Sequence, residues 1–455
     1  MRATAATSTR AVGQSDDAPV AIVGAGFAGL TAGGYLRAHG VPVRVYEASS
    51  QVAGLARSFV DDDGFSSDFG AHFITNRLAA AVGFSSHCEP VPRYDEAFWL
   101  GARSREYPFG IISSPRFVTS ALAAKLQRTR AVDSAADWFR KHYGRALADD
   151  VAIPLTEAWS GAPASELSAA VAEKIPASAL QTLKLGLAKR ISGRMVAIGY
   201  CRELHESPHV WHVYPRGGVG AMCEHMAQPL CDHISTRSPV ESIVVEDGRA
   251  TGVCVAGQFE SASAVICTSP VHVLAKLVVG TDALQPLATF RYRPMVFVNL
   301  RFEGRGLLPA VVLWTPEREA PFFRLTETPL SAPWLAPAGK TIITADIGCQ
   351  VGDEIWCMSD EELGGRCVEA LTRIIPDATQ RYLGCRVLRT PLAYPVFLRC
   401  YESERRRFAA SSGVDGLYSI GRNGEFAHIL LEDIYWRTRR TMRKLMAERS
   451  VASAC

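Results

Sequence analysis

Apolar positions follow three different rhythms along this chain. Val20-Ala21-Ile22-Val23 is an unbroken apolar run of the kind that fills a buried parallel strand. Helix-compatible residues then run from Leu30 to His39 until Gly40 stops them, and Val41 to Tyr46 repeats the strand pattern. The opening unit therefore predicts strand, turn, helix, strand. From Phe117 to about Gly199 the spacing changes to three and four, in "FVTSALAAKLQ", "AADWFRKHYG" and "ASALQTLKLGLAKRI", which predicts a helical insertion. From Pro239 to Thr268 the period drops towards two, with turn residues at Asp247-Gly248 and Gly257, which predicts a β-meander. Further strands are expected over 294–302, 308–315 and 340–347, and a helix over Asp360 to Ile375 capped by Ser359. "GLYSIGRNG" predicts a strand ending in a Gly-Arg turn, with a helix following to about residue 448.

At 455 residues the chain exceeds what one core usually serves, and several domains are expected. Hydrophobic residues make up 48% and charged residues 21%, and the formal charge of +3 gives no reason to invoke nucleic acid. The clusters Arg405-Arg406-Arg407 and Arg437 to Lys444 read as solvated helix faces or phosphate neighbours. Twelve cysteines are scattered without a C-x-x-C pair or a metal-ligand spacing, so no metal is expected and the thiols read as reduced and intracellular. No apolar run approaches the length of a transmembrane helix. Residues 1–17 read as a disordered tail, because Asp16 and Asp17 break the acid-poor pattern of a transit peptide; a cytoplasmic location follows as the expectation.

The chemistry begins in "GAGFAG". Gly24, Gly26 and Gly29 stand directly after a strand and before a helix: one for the sharp turn, one for close approach to a pyrophosphate, one for helix packing. The helix N-terminus then faces the phosphates. Glu47 ends the second strand 18 residues after Gly29, where its carboxylate can accept from both ribose hydroxyls and would repel a 2′-phosphate. A dinucleotide other than NADP is indicated. "RGGVGAM" does not fit the same spacing, since Gly217, Gly218 and Gly220 lack a following acidic strand end, so a second nucleotide loop is not expected.

After Glu47 comes "QVAGLARSF", which resembles the second phosphate-contacting segment of the amine oxidase, protoporphyrinogen oxidase and phytoene desaturase superfamily, with Gly54 and Arg57 matching and Ala53 replacing a glycine. "GFSSDFGAHFI", "YPRGGVGAMCEHMA" and "GLYSIGRNGEF" resemble further family segments in the same order. "AWSGAPASELS" and "AYPVFLRCYESERRR" resemble a subgroup near UDP-galactopyranose mutase. The resemblance implies an α/β fold: a discontinuous Rossmann-like FAD-binding domain (residues 18–90, 205–270 and 412–450) with a β-sheet substrate domain (residues 91–204 and 271–411, of which 117–200 are helical). It also implies non-covalent FAD. Gly24, Gly26, Gly29, Glu47, Gly54 and Arg57 would hold the ADP half, Val240 would present its backbone to the adenine, and Gly421 and Arg422 would contact the pyrophosphate or ribityl chain. Phe27, Ala28, Ala48, Leu55, Ala56, Gly70, Ala71, His72 and Leu430 complete the expected cofactor contacts.

In flavin dehydrogenation N5 of the cofactor accepts the hydride, so the protein need carry no loud catalytic motif. His72 is the first candidate for a chemical role, followed by Tyr394, Glu425 and His428. The expected activity is hydride removal from a C–N, C–O or C–C bond of a small metabolite, in a setting such as bacterial secondary metabolism. Two other readings stay open. "DFGAHFITNR" and "REYPFGI" resemble the mutase, where reduced flavin attacks a sugar, although "GRNGEFAHILLED" departs from the mutase pattern and only Glu432 keeps an acid at a matching place. The third reading is a non-catalytic binding protein on the same fold, against which stands the retention of the glycines with Glu47, Arg57 and Arg422.

Overall fold

The structure is a computed structural model that describes residues 18–70, 72–107, 109–126, 132–174 and 179–454. The tail expected over residues 1–17 and the predicted cofactor contact Ala71 lie outside the described residues. Five parallel strands form a central sheet in the order Ile234–Ser235, β2 (Val43–Tyr46), β1 (Val20–Val23), Ala264–Cys267 and Leu417–Ser419. Both faces are covered, which is why β1 is apolar throughout. Val20 and Ile22 pack with Leu30 and Leu36 of α1 (Phe27–Ala38), with Met222 and with Leu445. Ala21 and Val23 point the other way, against Ile243, Val245 and Val253 of an antiparallel sheet.

That antiparallel sheet corrects one expectation. The stretch read as one meander divides: Val240–Glu246, Arg249–Val255 and Gln258–Ser261 pair as successive hairpins, while Ala264–Cys267 leaves them and pairs parallel with β1. "AVIC" has no polar face to give to solvent, so it belongs in the layer buried on both sides.

The second half of the molecule is built on a seven-stranded sheet. Its order is Tyr382–Pro395, Tyr292–Glu303, Lys340–Gly348, Arg324–Thr326, Val312–Trp314, Glu96–Trp99 and Ser104–Glu106. Side chains alternate along Tyr292–Glu303: Val296, Val298 and Leu300 enter a core beneath the helix Asp360–Leu371, whereas Met295 and Phe297 face the opposite side. The strand expected over 308–315 shrinks to Val312–Trp314. Pro309 has no N–H for a ladder, and the amides of Gly306 and Leu308 donate instead to the buried Glu327 carboxylate. Tyr382–Pro395 is a long strand that the apolar pattern did not announce, because Gly384 and Pro391 interrupt it and its pairing slips by two residues between Arg293 and Met295. The helix expected to Ile375 ends at Leu371, and its Ser359 cap accepts from Glu362 N at 3.2 Å. Helices at Pro115–Leu126, Ala135–Leu147, Ile153–Ser160 and Ala179–Ser192 make up the insertion. Among the described residues no helix is long and apolar enough to cross a membrane.

Candidate active site

The glycine loop is closed by backbone contacts that leave no room for side chains. A Cβ on Gly29 would overlap the carbonyl of Gly24, and one on Gly24, whose φ is +99°, would overlap Thr268 Oγ1. Above Gly26 the opposite holds, since a Cβ there would meet nothing within 4 Å. The open space thus lies at the N-terminus of α1, where unpaired amides favour an anion. The Ala53-Gly54 turn lies beside it, with Gly26 and Ala53 bridged and Ala53 N donating to Ala25 O at 3.0 Å. Ala53 occupies the left-handed region at φ +81°, the conformation that the glycine common at this place adopts without strain. Arg57 follows the turn, and its Nε is sealed from solvent without a hydrogen-bond partner among the described residues.

Glu47 reaches under this loop. Its Oε2 accepts from Ala25 N at 2.8 Å, and its Oε1 from Ser49 N at 2.9 Å and Ser49 Oγ at 2.8 Å. Ser49 Oγ has a single proton and also lies 2.6 Å from Gln51 O, so the hydroxyl is shared between Gln51 O and Oε1, while Oε2 retains a lone pair. The carboxylate can take one ribose hydroxyl as it stands, and a second once the Ser49 hydroxyl turns to Gln51 O. Val240 begins the first strand of the antiparallel sheet, half-buried and packed on the core that holds Tyr46.

A cavity opens beyond the loop. Leu55, His72, Arg422 and Leu430, all expected at the cofactor, line it together with Tyr394 and His428. The seven-stranded sheet contributes Phe297, Arg324, Thr390 and Ala393. Gly421 brings the "GRNG" turn to this place: its φ of +82° and lack of a side chain let it sit on Ala28 in the first turn of α1.

His72 carries a sealed Nε2 with no hydrogen-bond partner among the described residues. Burial, followed by the charge of Arg422, pushes its pKa down to about 4, against a backbone hydrogen bond to Phe69. It is a neutral imidazole at ordinary pH. Arg422 donates Nε–H to Ile429 O at 3.0 Å, and no carboxylate lies within ion-pair distance of it among the described residues. Burial lowers its pKa. Arg324, absent from the sequence reading, is the other cation of the cavity. Burial opposes its charge, but its ion pair with the fully buried Asp346 holds the pKa above the ordinary value, and the guanidinium lies 5.4 Å from the Trp314 ring centre. Its only sequence signal is an arginine inside the apolar strand "FFRLT".

Glu425 does not reach the cavity. Its carboxylate accepts from Gly421 N at 3.2 Å and from Arg437 Nη1 at 3.0 Å, and Arg437 also pairs with Glu203, so Glu425 braces the turn. The basic clusters are accounted for in the same way: Arg405 and Arg406 pair with Glu402, and Arg407 with Glu404. In "RGGVGAM" the glycines permit packing, because Cβ atoms at Gly218 and Gly220 would collide with Ser58. Ser58 and Tyr214 both donate to Asp68, whose carboxyl is pushed up to about 6 by burial while those bonds pull it down. The amide end of the helix Gly218–Ala227 is thus taken by the protein's own oxygens, with Gly220 N donating to Ser58 Oγ at 2.8 Å.

Among curated proteins no sequence match was found. Several solved structures share the fold. Reduced UDP-galactopyranose mutase is 18% identical with a TM-score of 0.77, covering 94% of each chain. A candidate protoporphyrinogen oxidase from Exiguobacterium sp. 255-15 is 17% identical with a TM-score of 0.72, covering 96% of this chain and 100% of its own. Putrescine oxidase bound to putrescine is 18% identical with a TM-score of 0.68, covering 94% and 99%. The sequence profile of flavin-containing amine oxidoreductases matches residues 27–423, from the first turn of α1 to the "GRNG" turn and hence most of the cavity wall, and the chain belongs to that family.

Proposed function

We propose that this chain is an FAD-dependent oxidoreductase that removes a hydride from a C–N, C–O or C–C bond of a small metabolite. One observation carries the reading: the open phosphate cradle at Gly26 adjoins a cavity walled largely by apolar and aromatic side chains. The residues fit the cofactor. The unpaired Arg57 Nε and the N-terminus of α1 offer donors to a pyrophosphate, Glu47 Oε2 keeps a lone pair for a ribose hydroxyl, and Arg422 is a buried cation awaiting an electron-rich partner. Bound there, FAD would supply the hydride acceptor. The chain's own part is to exclude water and orient the substrate, with Phe69, Phe73, Phe297 and Tyr394 as walls and His72 as a neutral, polar neighbour. No cysteine lines the cavity among the described residues, which favours non-covalent attachment. A cytoplasmic enzyme of bacterial secondary metabolism is the setting we infer.

The test is flavin absorbance of the purified protein followed by anaerobic incubation with amines, alcohols and hydroaromatic compounds. Bleaching without added reductant is the expected result. A colourless protein that takes up no FAD would refute the reading and support a non-catalytic binder. The second reading is redox-neutral sugar chemistry, favoured by Arg324 and Arg422 in one cavity, a charge that suits the diphosphate of a UDP-sugar. Turnover only after reduction of the flavin, with no net oxidation, would establish it. Glu47→Ala should weaken FAD retention in either case, and unchanged occupancy would remove Glu47 from the site.

A further inference from the structure

A hydrogen-bonded chain leads away from the cavity. Tyr200 lines the cavity, and its hydroxyl lies 3.1 Å from that of Tyr94. Tyr94 donates to Glu96 Oε1 at 2.8 Å, and Trp314 Nε1 donates to Glu96 Oε2 at 2.9 Å. A phenol has one proton to give. Tyr94 commits its proton to Glu96, so the Tyr200 hydroxyl donates to Tyr94 and its own oxygen is left as an acceptor. The rings are held in place: Tyr94 packs at 4.8 Å from Phe73 and 4.6 Å from His212, and Tyr200 at 4.3 Å from His212. Glu96 is only half-buried, at the outer end of the chain.

We propose that Tyr200, Tyr94 and Glu96 form a proton relay between the cavity and the exterior, with Tyr200 as the group that takes the substrate's proton. Tyr94 and Glu96 are positioning residues that align it and pass the proton on. The proposal rests on the flavin reading above. When a carbon gives up hydride to bound FAD, the attached nitrogen or oxygen also gives up a proton, and the electron pair of that N–H or O–H bond becomes the second bond to carbon. In the relay that proton bonds to Tyr200 oxygen while the Tyr200 proton passes to Tyr94 and the Tyr94 proton to Glu96. Three bonds to hydrogen break and three form, and the only net change within the protein is neutralisation of one carboxylate.

Neither phenol has to hold charge. Burial raises the pKa of both, and the Glu96 charge adds to the effect on Tyr94, so a concerted hand-off is favoured over a tyrosinate. The groups facing the chain are Lys189, whose Nζ donates to Tyr94 O at 2.6 Å, Asp95 and Glu106 near that amine, Arg324 across Trp314, and His212. His212 stays neutral, its pKa driven down to about 3 by burial and then by Lys189. His72 resists protonation for a similar reason and is a poor resting place for the released proton.

The relay can be tested without knowing the substrate. Two-electron reduction of bound FAD by dithionite takes one proton from solvent, which must enter the cavity. In anaerobic stopped-flow, Tyr94→Phe should slow loss of the oxidised-flavin band, and proton uptake read by an indicator dye, by about tenfold. Glu96→Gln keeps an acceptor for Tyr94 but no carboxylate, and should slow both equally, with Glu96→Asp recovering most of the rate. Trp314→Phe removes a neighbour of Glu96 without removing a proton step and should stay within about twofold of wild type. Flavin-loaded Tyr94→Phe and Glu96→Gln proteins that reduce at the wild-type rate, with the wild-type solvent isotope effect, overturn the relay alone. A wild-type protein that binds no flavin overturns the flavin reading, and the relay with it.

Discussion

The glycine loop and the cavity beside it are made of different materials. The loop is backbone: Gly24, Gly26 and Gly29 matter for what they lack, and their neighbours in space are mostly neighbours in sequence. The cavity is side chain, assembled from Leu55, His72, Tyr200, Phe297, Arg324, Tyr394 and Arg422, which only the folded chain brings together. A site of the first kind is a local property of a few residues. A site of the second kind depends on the register of strands hundreds of residues apart, and small changes of sequence can alter it without disturbing the first.

That contrast can be broken or sharpened by substitution. Gly29→Ala should have the largest effect, because its Cβ overlaps a carbonyl that cannot move without opening the β1 turn: flavin retention is lost and stability falls by about 3 kcal/mol or more, read by absorbance and by denaturant unfolding. Arg324→Met should cost about 3–5 kcal/mol in the same measurement by taking the guanidinium from buried Asp346, with Asp346→Leu on top recovering most of the loss. If the double variant is as unstable as the single, the ion pair is not the cause. Arg422→Met should do the reverse in its two readouts. The flavin-free protein should be at least as stable as wild type, since a buried cation without a carboxylate is removed, while the FAD Kd should rise about tenfold or more.

Acid should act with opposite signs on the buried histidines and on Asp68. His72 and His212 are held neutral by burial, down to about 4 and about 3, whereas the unfolded chain protonates both below about pH 6.5. Their contribution is complete above that value and is lost as pH falls through the folded values. Asp68, raised by burial to about 6, has the opposite sign: its contribution is complete below about pH 4 and is lost as pH rises through 6. His212→Phe should therefore shallow the fall of the melting temperature of the flavin-free protein between about pH 6.5 and 4, and an unchanged slope would contradict the burial argument. Ala53→Gly should have the smallest effect, a gain of about 0.5–1 kcal/mol from relief of a left-handed alanine, with flavin retention intact; a loss would mean that the Ala53 methyl packs usefully.

How much could be read without the fold follows from the same physics. β1, α1, the Ser359 cap and the "GRNG" turn are legible because each is decided within a few residues, by periodicity, a cap or a positive φ. Ala264–Cys267 was placed in the wrong sheet, because an apolar tetrapeptide states that it is buried but not beside what. Tyr382–Pro395 carries no regular period because a bulge breaks it, and Glu425 stands in a family stretch near the cavity while its carboxylate braces a turn.

By itself, then, the sequence determined the glycine turn between β1 and α1, whose backbone geometry the glycine spacing dictates, and the family, whose segments it keeps in order. Only the tertiary structure decided that Arg324 stands in the cavity, that Glu47 already accepts from Ala25 and Ser49, and that the Tyr200 hydroxyl lies beside that of Tyr94, which donates to Glu96. The physical reason is range: a turn is fixed by forces across a few bonds, whereas a buried charge or a hydrogen-bonded relay exists only once distant strands have excluded the water between them.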